Sequence, residues 1–228
     1  AIGLPANLDD WRETSVQVTL NLADLDAELI TAFFPGSQPS LTASGQTSLL
    51  LESSGSFNEG MDFSLRLGGE DFSLQSPAVQ IRGKDLFPLV FSGHWLSQKG
   101  GHTFSDLRLD GGNLHLQGDA SLEAAEDGLR LQTSWSGKPL PVAAISAFFP
   151  EGEKGARFAD LLQEGSVELA SFTASARPDN TRPTGYRFLV QSARLNIRDG
   201  HLRLRPNLDM TGLAGQIDLQ DDCLLYTS

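Results

Sequence analysis

Val16, Val18, Leu20 and Leu22 alternate with Gln17, Thr19 and Asn21, a period of two that predicts a strand with one wet face. The same alternation returns at Met61, Phe63, Leu65 and Leu67, and at Leu129, Leu131, Thr133 and Trp135. Shorter versions follow at Phe72 and Leu74, Val79 and Ile81, Leu107 and Leu109, Leu114 and Leu116, and Leu122 and Ala124. The last third adds residues 166–175, Tyr186 with Phe188 and Val190, Ala193 with Leu195 and Ile197, Leu202 with Leu204, and Ile217 with Leu219. Turn-forming clusters separate them, among them Gly111-Gly112-Asn113, Gln117-Gly118-Asp119 and Asp199-Gly200. Strand, tight turn, strand predicts an antiparallel meander. Residues 86–95 are more evenly apolar, and Pro88 restricts that segment to a strand start or a sheet edge.

The period changes twice. Over residues 23–34 the apolar positions Leu25, Leu29, Ile30, Phe33 and Phe34 follow helical spacing, with Asp24 and Asp26 early and Pro35-Gly36 as the stop. Residues 142–149 repeat the design with Ile145, Phe148 and Phe149, and a further helical turn is predicted around residues 157–163. Ile30-Thr31-Ala32-Phe33-Phe34-Pro35 and Ile145-Ser146-Ala147-Phe148-Phe149-Pro150 differ by one Thr for Ser. After each helix a polar loop leads to a glycine that opens a strand, Gly45 and Gly165. Ile30 and Ile145 lie 115 positions apart, and Gly45 and Gly165 lie 120 apart. A spacing held over that distance predicts a repeated helix-plus-meander unit and a sheet that grows along one axis. Residues 1–24 then read as the end of a preceding unit, 25–139 as one repeat and 140–222 as a second, cut short.

Composition narrows this picture. Asp and Glu number 29 against 17 Lys and Arg, a net charge of −12 over 228 residues. Phosphate-backbone binding needs a basic surface, so no nucleic-acid partner is expected. No run of about 18 apolar residues is present, so nothing in the sequence reads as a membrane-spanning helix. Residues 223–228 are what TGT CTC TTA TAC ACA TCT encodes, resembling a transposon-end adapter, and are set apart as an expected artefact. The single cysteine, Cys223, falls inside it, which leaves no thiolate nucleophile and no disulfide.

Catalytic chemistry has no visible anchor. His94, His102, His115 and His201 show neither HxxxH nor HExxH spacing, no serine sits in a GxSxG elbow, and the paired glycines lack the order of a phosphate cradle. Neither an enzyme nor a cofactor is expected. Trp11, Trp95 and Trp135 keep a carbohydrate-binding module open, a reading that requires them to be exposed and coplanar. What the alternation does demand is a cover for the apolar side, and two or three short helices are too few to provide it. A second sheet closing a dry sandwich or an amphiphile in an open groove both meet the demand.

Gly112-Asn113-Leu114-His115-Leu116-Gln117-Gly118, Leu129-Arg130-Leu131-Gln132-Thr133-Ser134-Trp135-Ser136-Gly137, residues 140–150, Gly165-Ser166-Val167-Glu168-Leu169 and the LDMTGLAGQIDL of residues 208–219 together resemble the AsmA-like family, in its large YhdP-type branch. The likeness covers residues 86–219 and lies more in the order of elements than in any one motif. It implies a β-taco-like groove that carries phospholipid between inner and outer membrane in the bacterial periplasm, with an inner-membrane anchor outside this sequence. On that reading phospholipid acyl chains are the partner. The groove lining comprises Val16, Val18, Leu20, Phe63, Leu65, Leu129, Leu131, Phe188 and Val190, while Ile30, Phe33, Phe34, Ile145, Phe148 and Phe149 form helical braces. The alternative is a structural or adhesin-like surface β-repeat without lipid cargo.

Overall fold

In the computed structural model the described residues are 14–28, 42–69, 71–75, 80–98, 100–125, 128–146, 162–178, 186–205, 208–220 and 223–227. In chain order they form β1 (Val16–Asp26), β2 (Thr42–Ser44), β3 (Gln46–Ser56), β4 (Gly60–Gly68), β5 (Ser73–Gln75), β6 (Gln80–Arg82), the single helical turn α1 (Gly83–Leu86), β7 (Leu89–Gln98) and β8 (Gly101–Gly111). There follow β9 (Leu114–Ala125), β10 (Gly128–Gly137), β11 (Leu140–Pro141), α2 (Val142–Ser146), β12 (Leu162–Pro178), β13 (Tyr186–Arg205), β14 (Leu208–Gln220) and β15 (Cys223–Thr227). None of the described helices is long and apolar enough to cross a membrane.

The long strands build one antiparallel sheet in the order β1-β3-β4-β7-β8-β9-β10-β12-β13-β14-β15, with β11 added against β12. β1 and β15 stand at opposite edges and do not meet, so the sheet is open. Each strand pairs with the next long strand in sequence, which is the meander that the alternation predicts. β2, β5 and β6 form a separate three-stranded sheet.

Antiparallel order sends successive connections to alternate flanks of the sheet, and the two flanks differ. All the inserted elements lie on one of them: β2 between β1 and β3, β5, β6 and α1 between β4 and β7, and β11 with α2 between β10 and β12. They carry the compact packing of the molecule. Ala27 is fully buried with Ala43 and Phe72, Leu74 and Phe87 close the cluster, and the Phe72 and Phe87 rings lie 5.1 Å apart. The Gly83 amide donates to the Phe72 carbonyl at 2.7 Å and the Ala27 amide to Gly45 at 2.9 Å. Leu86 of α1 is buried against the β8–β9 turn, where a Cβ on Gly112 would lie 2.3 Å from the Asp85 carbonyl. That turn takes glycine both for this approach and for its φ of 54°.

Several expectations need correction. The helix expected over residues 23–34 does not include Ala23 to Asp26, which remain in β1 with Leu25 against Thr47 and Asp26 against Gln46, while residues 29–34 lie outside the described residues. Asp24 adopts a φ of 54° in a bulge and so lets the strand run on. Leu162 and Gln163 belong to β12 and not to a helical turn. The three short strands expected after residue 186 are one strand of 20 residues, β13. Asp199-Gly200 bulges within it where a turn was expected, and Gln117-Gly118-Asp119 lies inside β9. The non-glycine residues of positive φ among those described are Asp24, Asp106 and Asp199, each at a register shift. Aspartate tolerates the left-handed region better than most side chains.

Candidate functional site

Directly paired residues in an antiparallel ladder share a face, so the register assigns every strand position to one side of the sheet. One row runs Leu20, Leu51, Leu65, Phe91, Leu109, Leu116 and Gly137 across β1 to β10. Gly137 adjoins Leu169, and the row continues through Leu195 to Ile217 of β14. Ten strands contribute, and nine spacings of 4.8 Å give a track about 43 Å long. A second row holds Val18, Ser53, Phe63 and Gly93, then Leu107, Gly118, Trp135, Phe172, Ala193 and Leu219. A third runs from Val16 through Met61, Trp95, Phe104 and Ala120 to Val190. Three rows lie two spacings of about 6.8 Å apart, so the strip is about 14 Å wide between its outer rows.

All nine positions expected to line a groove fall on this face. Val16, Val18, Leu20, Phe63, Leu65 and Val190 belong to the three rows. Leu131 pairs with Leu122 and Ala176, Phe188 takes the register position opposite Ala176, and Leu129 pairs with Ala124. The brace residues are only partly visible. Ile145 lies in α2, whereas Ile30, Phe33, Phe34, Phe148 and Phe149 lie outside the described residues. The glycines that follow the two hexapeptides adopt the same left-handed backbone, φ 90° at Gly45 and 105° at Gly165. Gly45 precedes β3, while Gly165 sits within β12.

Much of the face stays accessible, although Met61, Leu107 and Ala176 are buried. Val18, Leu20 and Leu129 are 44%, 42% and 46% exposed, and no large side chain among the described residues is fully buried. Bulky residues instead lean onto glycines of the neighbouring strand. A Cβ on Gly118 would lie 2.9 Å from the Trp135 ring, one on Gly93 would lie 2.6 Å from Leu107, and one on Gly137 would lie 2.5 Å from Leu116. This packing buries Leu107 and lowers the relief of the surface. Nothing in the alternation signals it, since a glycine inside a strand reads first as a turn.

The opposite face is polar, and many of its charges are paired with their neighbours, although the buried His201 Nε2 has no hydrogen-bond partner. Asp62 holds His94 at 2.9 Å and Asp110 holds His115 at 2.7 Å. Glu168 accepts from Arg198 at 2.8 Å and from Asn196 at 3.2 Å. Arg194 meets Asp218 at 2.7 Å and Arg203 meets Asp209 at 2.9 Å. The hydrogen bond from Arg194, with a second from Gln216, holds the Asp218 carboxyl below its ordinary pKa, and the hydrogen bond from Arg203 does the same for Asp209.

Three shallow depressions follow one another over β8 to β12 on this polar side. The largest, about 680 Å³, is lined by Arg108, Asp110, His115 and Glu168 among others. Those of about 420 and 320 Å³ are floored by Ser134, Thr173, Asp119 and their neighbours. The linings of the two larger depressions mix polar and apolar surface, and that of the smallest is mainly apolar. No group of three or more His, Cys, Asp or Glu side chains among the described residues is arranged to hold a metal ion. Trp95 and Trp135 are half-buried on the apolar face, Trp95 against Phe57 with its indole N–H donating to His102 at 3.3 Å. They do not form the exposed platform a sugar-binding module requires, and Trp11 lies outside the described residues.

By architecture the described residues thus form a large open antiparallel sheet with one apolar and one polar face, beside a small three-stranded sheet. No protein-family model matches the chain, and no curated protein or solved structure matches it either.

Proposed function

We propose that the apolar face carries phospholipid acyl chains, and that the chain is a non-catalytic segment of an AsmA-like lipid-transfer bridge of the periplasm, anchored to the inner membrane by a region outside this sequence. The observation that supports this most is the apolar track across ten strands whose side chains remain accessible. A structural repeat with a dry core has no use for such a surface. Each CH₂ removed from water contributes about 0.8 kcal/mol, so an acyl chain of about 16 carbons brings on the order of 10 kcal/mol of transfer free energy.

The groove itself is part of the proposal. Neighbouring strands rotate by about 20–25°, and sheets beyond about ten strands rarely stay flat. Bulges at Asp24, Asp106 and Asp199 add local bending. On this reading they curl the sheet with the apolar face inside, tails slide across the rows, and headgroups stay at the rim. The inserted elements brace one flank in both repeat units. Gly45 and Gly165, alike in backbone and 120 positions apart, mark the two units.

Detergent-free purification followed by native mass spectrometry and lipid extraction tests the proposal. Phospholipid recovered with the chain at a stoichiometry that survives gel filtration is the expected result. A lipid-free chain whose apolar face is fully covered would instead establish the surface-repeat alternative.

A further inference from the structure

We infer that the unbraced flank of the sheet carries a phosphate-binding site built on Arg177 of β12 and Arg187 of β13. These two residues are direct cross-strand partners, one pair short of the end of the ladder at Pro178 and Tyr186, and both are exposed. Paired positions place their Cβ atoms about 4.5–5.5 Å apart on one face, where like charges repel. The sheet avoids that cost elsewhere. Arg194, Arg198 and Arg203 of the same β13 each face a carboxylate at 2.7, 2.8 and 2.9 Å. Arg177 and Arg187 have no such carboxylate among the described residues, although the chain has 29 acidic residues to supply one. Arg130, one position before the Leu131 and Ala176 pair, stands next in the row, where its ladder partner on the other side is Glu123.

Two guanidinium forks side by side offer paired N–H donors to a tetrahedral oxyanion, whereas a lone carboxylate is satisfied by one fork. The chemistry called for is therefore that of a phosphate mono- or diester. Its placement fits a lipid headgroup. The adjoining row on the other side of the backbone is Leu131, Ala176 and the Phe188 position, and the exposed Leu129 lies at the same flank. A tail resting on those residues brings its phosphate to the rim that the arginines occupy. The anion chemistry stands on the arginine pair alone. Only the lipid source rests on the function proposed above.

Isothermal titration of the full chain with inorganic phosphate, dihexanoyl phosphatidic acid and dihexanoylglycerol separates these parts. Phosphatidic acid is expected to bind about tenfold or more tightly than the diacylglycerol. The Arg177→Gln/Arg187→Gln variant removes that difference and keeps diacylglycerol binding, while Arg194→Gln, at a paired arginine, changes neither. If the double glutamine variant fails to fold, Arg177→Lys/Arg187→Lys, which keeps the charges but loses the forks, is expected to lose most of the preference. A preference that survives in the variants, or absence of binding by either phosphate probe, overturns the site. Arginine-dependent binding of inorganic phosphate as tight as that of phosphatidic acid, with no binding of diacylglycerol, keeps the site and overturns the lipid-carrying function. Diacylglycerol binding with no phosphate preference does the reverse.

Discussion

On the polar side of β12 to β14, Arg194, Arg198 and Arg203 each hold a carboxylate within 3 Å. On the other side of the same strands Leu169, Leu195 and Ile217 line up as one apolar row. Both faces hang on one backbone, and they differ in what remains to be satisfied. A charge in water that finds its opposite across the strand needs nothing further, and it contributes register and solubility more than stability. An apolar row left accessible over ten strands still gains by being covered. The larger incomplete surface is therefore the apolar one, even though the depressions of the sheet open on the other side.

The contrast can be broken most severely by putting a charge on the apolar face. Leu65→Glu is expected to reduce recovered phospholipid about tenfold, because a carboxylate beside the tails loses its hydration, whereas Ser64→Glu one residue away leaves recovery within about twofold. Quantitative lipid extraction of the two variants reads the difference. Next in size is the brace. Leu86→Ala removes a buried side chain from the flank packing and should cost about 3 kcal/mol in a denaturant titration. Gly118→Val forces a side chain against Trp135 and the Ser134 carbonyl and should cost about 2 kcal/mol. Gln117→Val, adjacent but on the polar face, should stay within about 0.5 kcal/mol.

The smallest effect concerns the polar pairs. Because the folded state depresses the Asp209 and Asp218 carboxyls, what their pairs contribute is present above the ordinary carboxylate pKa and is lost as pH falls through the depressed value. Carboxyl titration of Asp218 by NMR should show a midpoint below that of an ordinary aspartate, and Arg194→Gln should raise it. Stability at neutral pH should respond weakly to Asp218→Asn, since the pair is solvent-screened.

Much of this arrangement is legible along the chain. Val16 to Leu22 and Leu129 to Trp135 announce strands with one apolar side, and Gly112-Asn113 announces a hairpin that the structure contains. The limits are physical. Asp-Gly and Gly-Asp pairs favour turns locally, so Asp199-Gly200 and Gly118-Asp119 read as strand ends, and only the pairing of neighbours on both sides keeps them inside β13 and β9. Asp24 conceals a bulge behind what reads as the first turn of a helix. Alternation assigns residues to two sides of each strand, but which sides coincide depends on register. The common face of Leu20, Leu65 and Leu131, and the meeting of Arg177 with Arg187, therefore emerge only from the ladder.

Photo-crosslinking in the presence of phospholipid addresses the apolar face most directly. A benzophenone side chain placed at Leu20, Leu65 or Leu131 should yield phospholipid adducts, identified by mass shift, while the same group at Ser64, Gln117 or Gln132 should yield none. Adducts in equal amount on both faces, or on neither, would contradict a lipid-bearing apolar face.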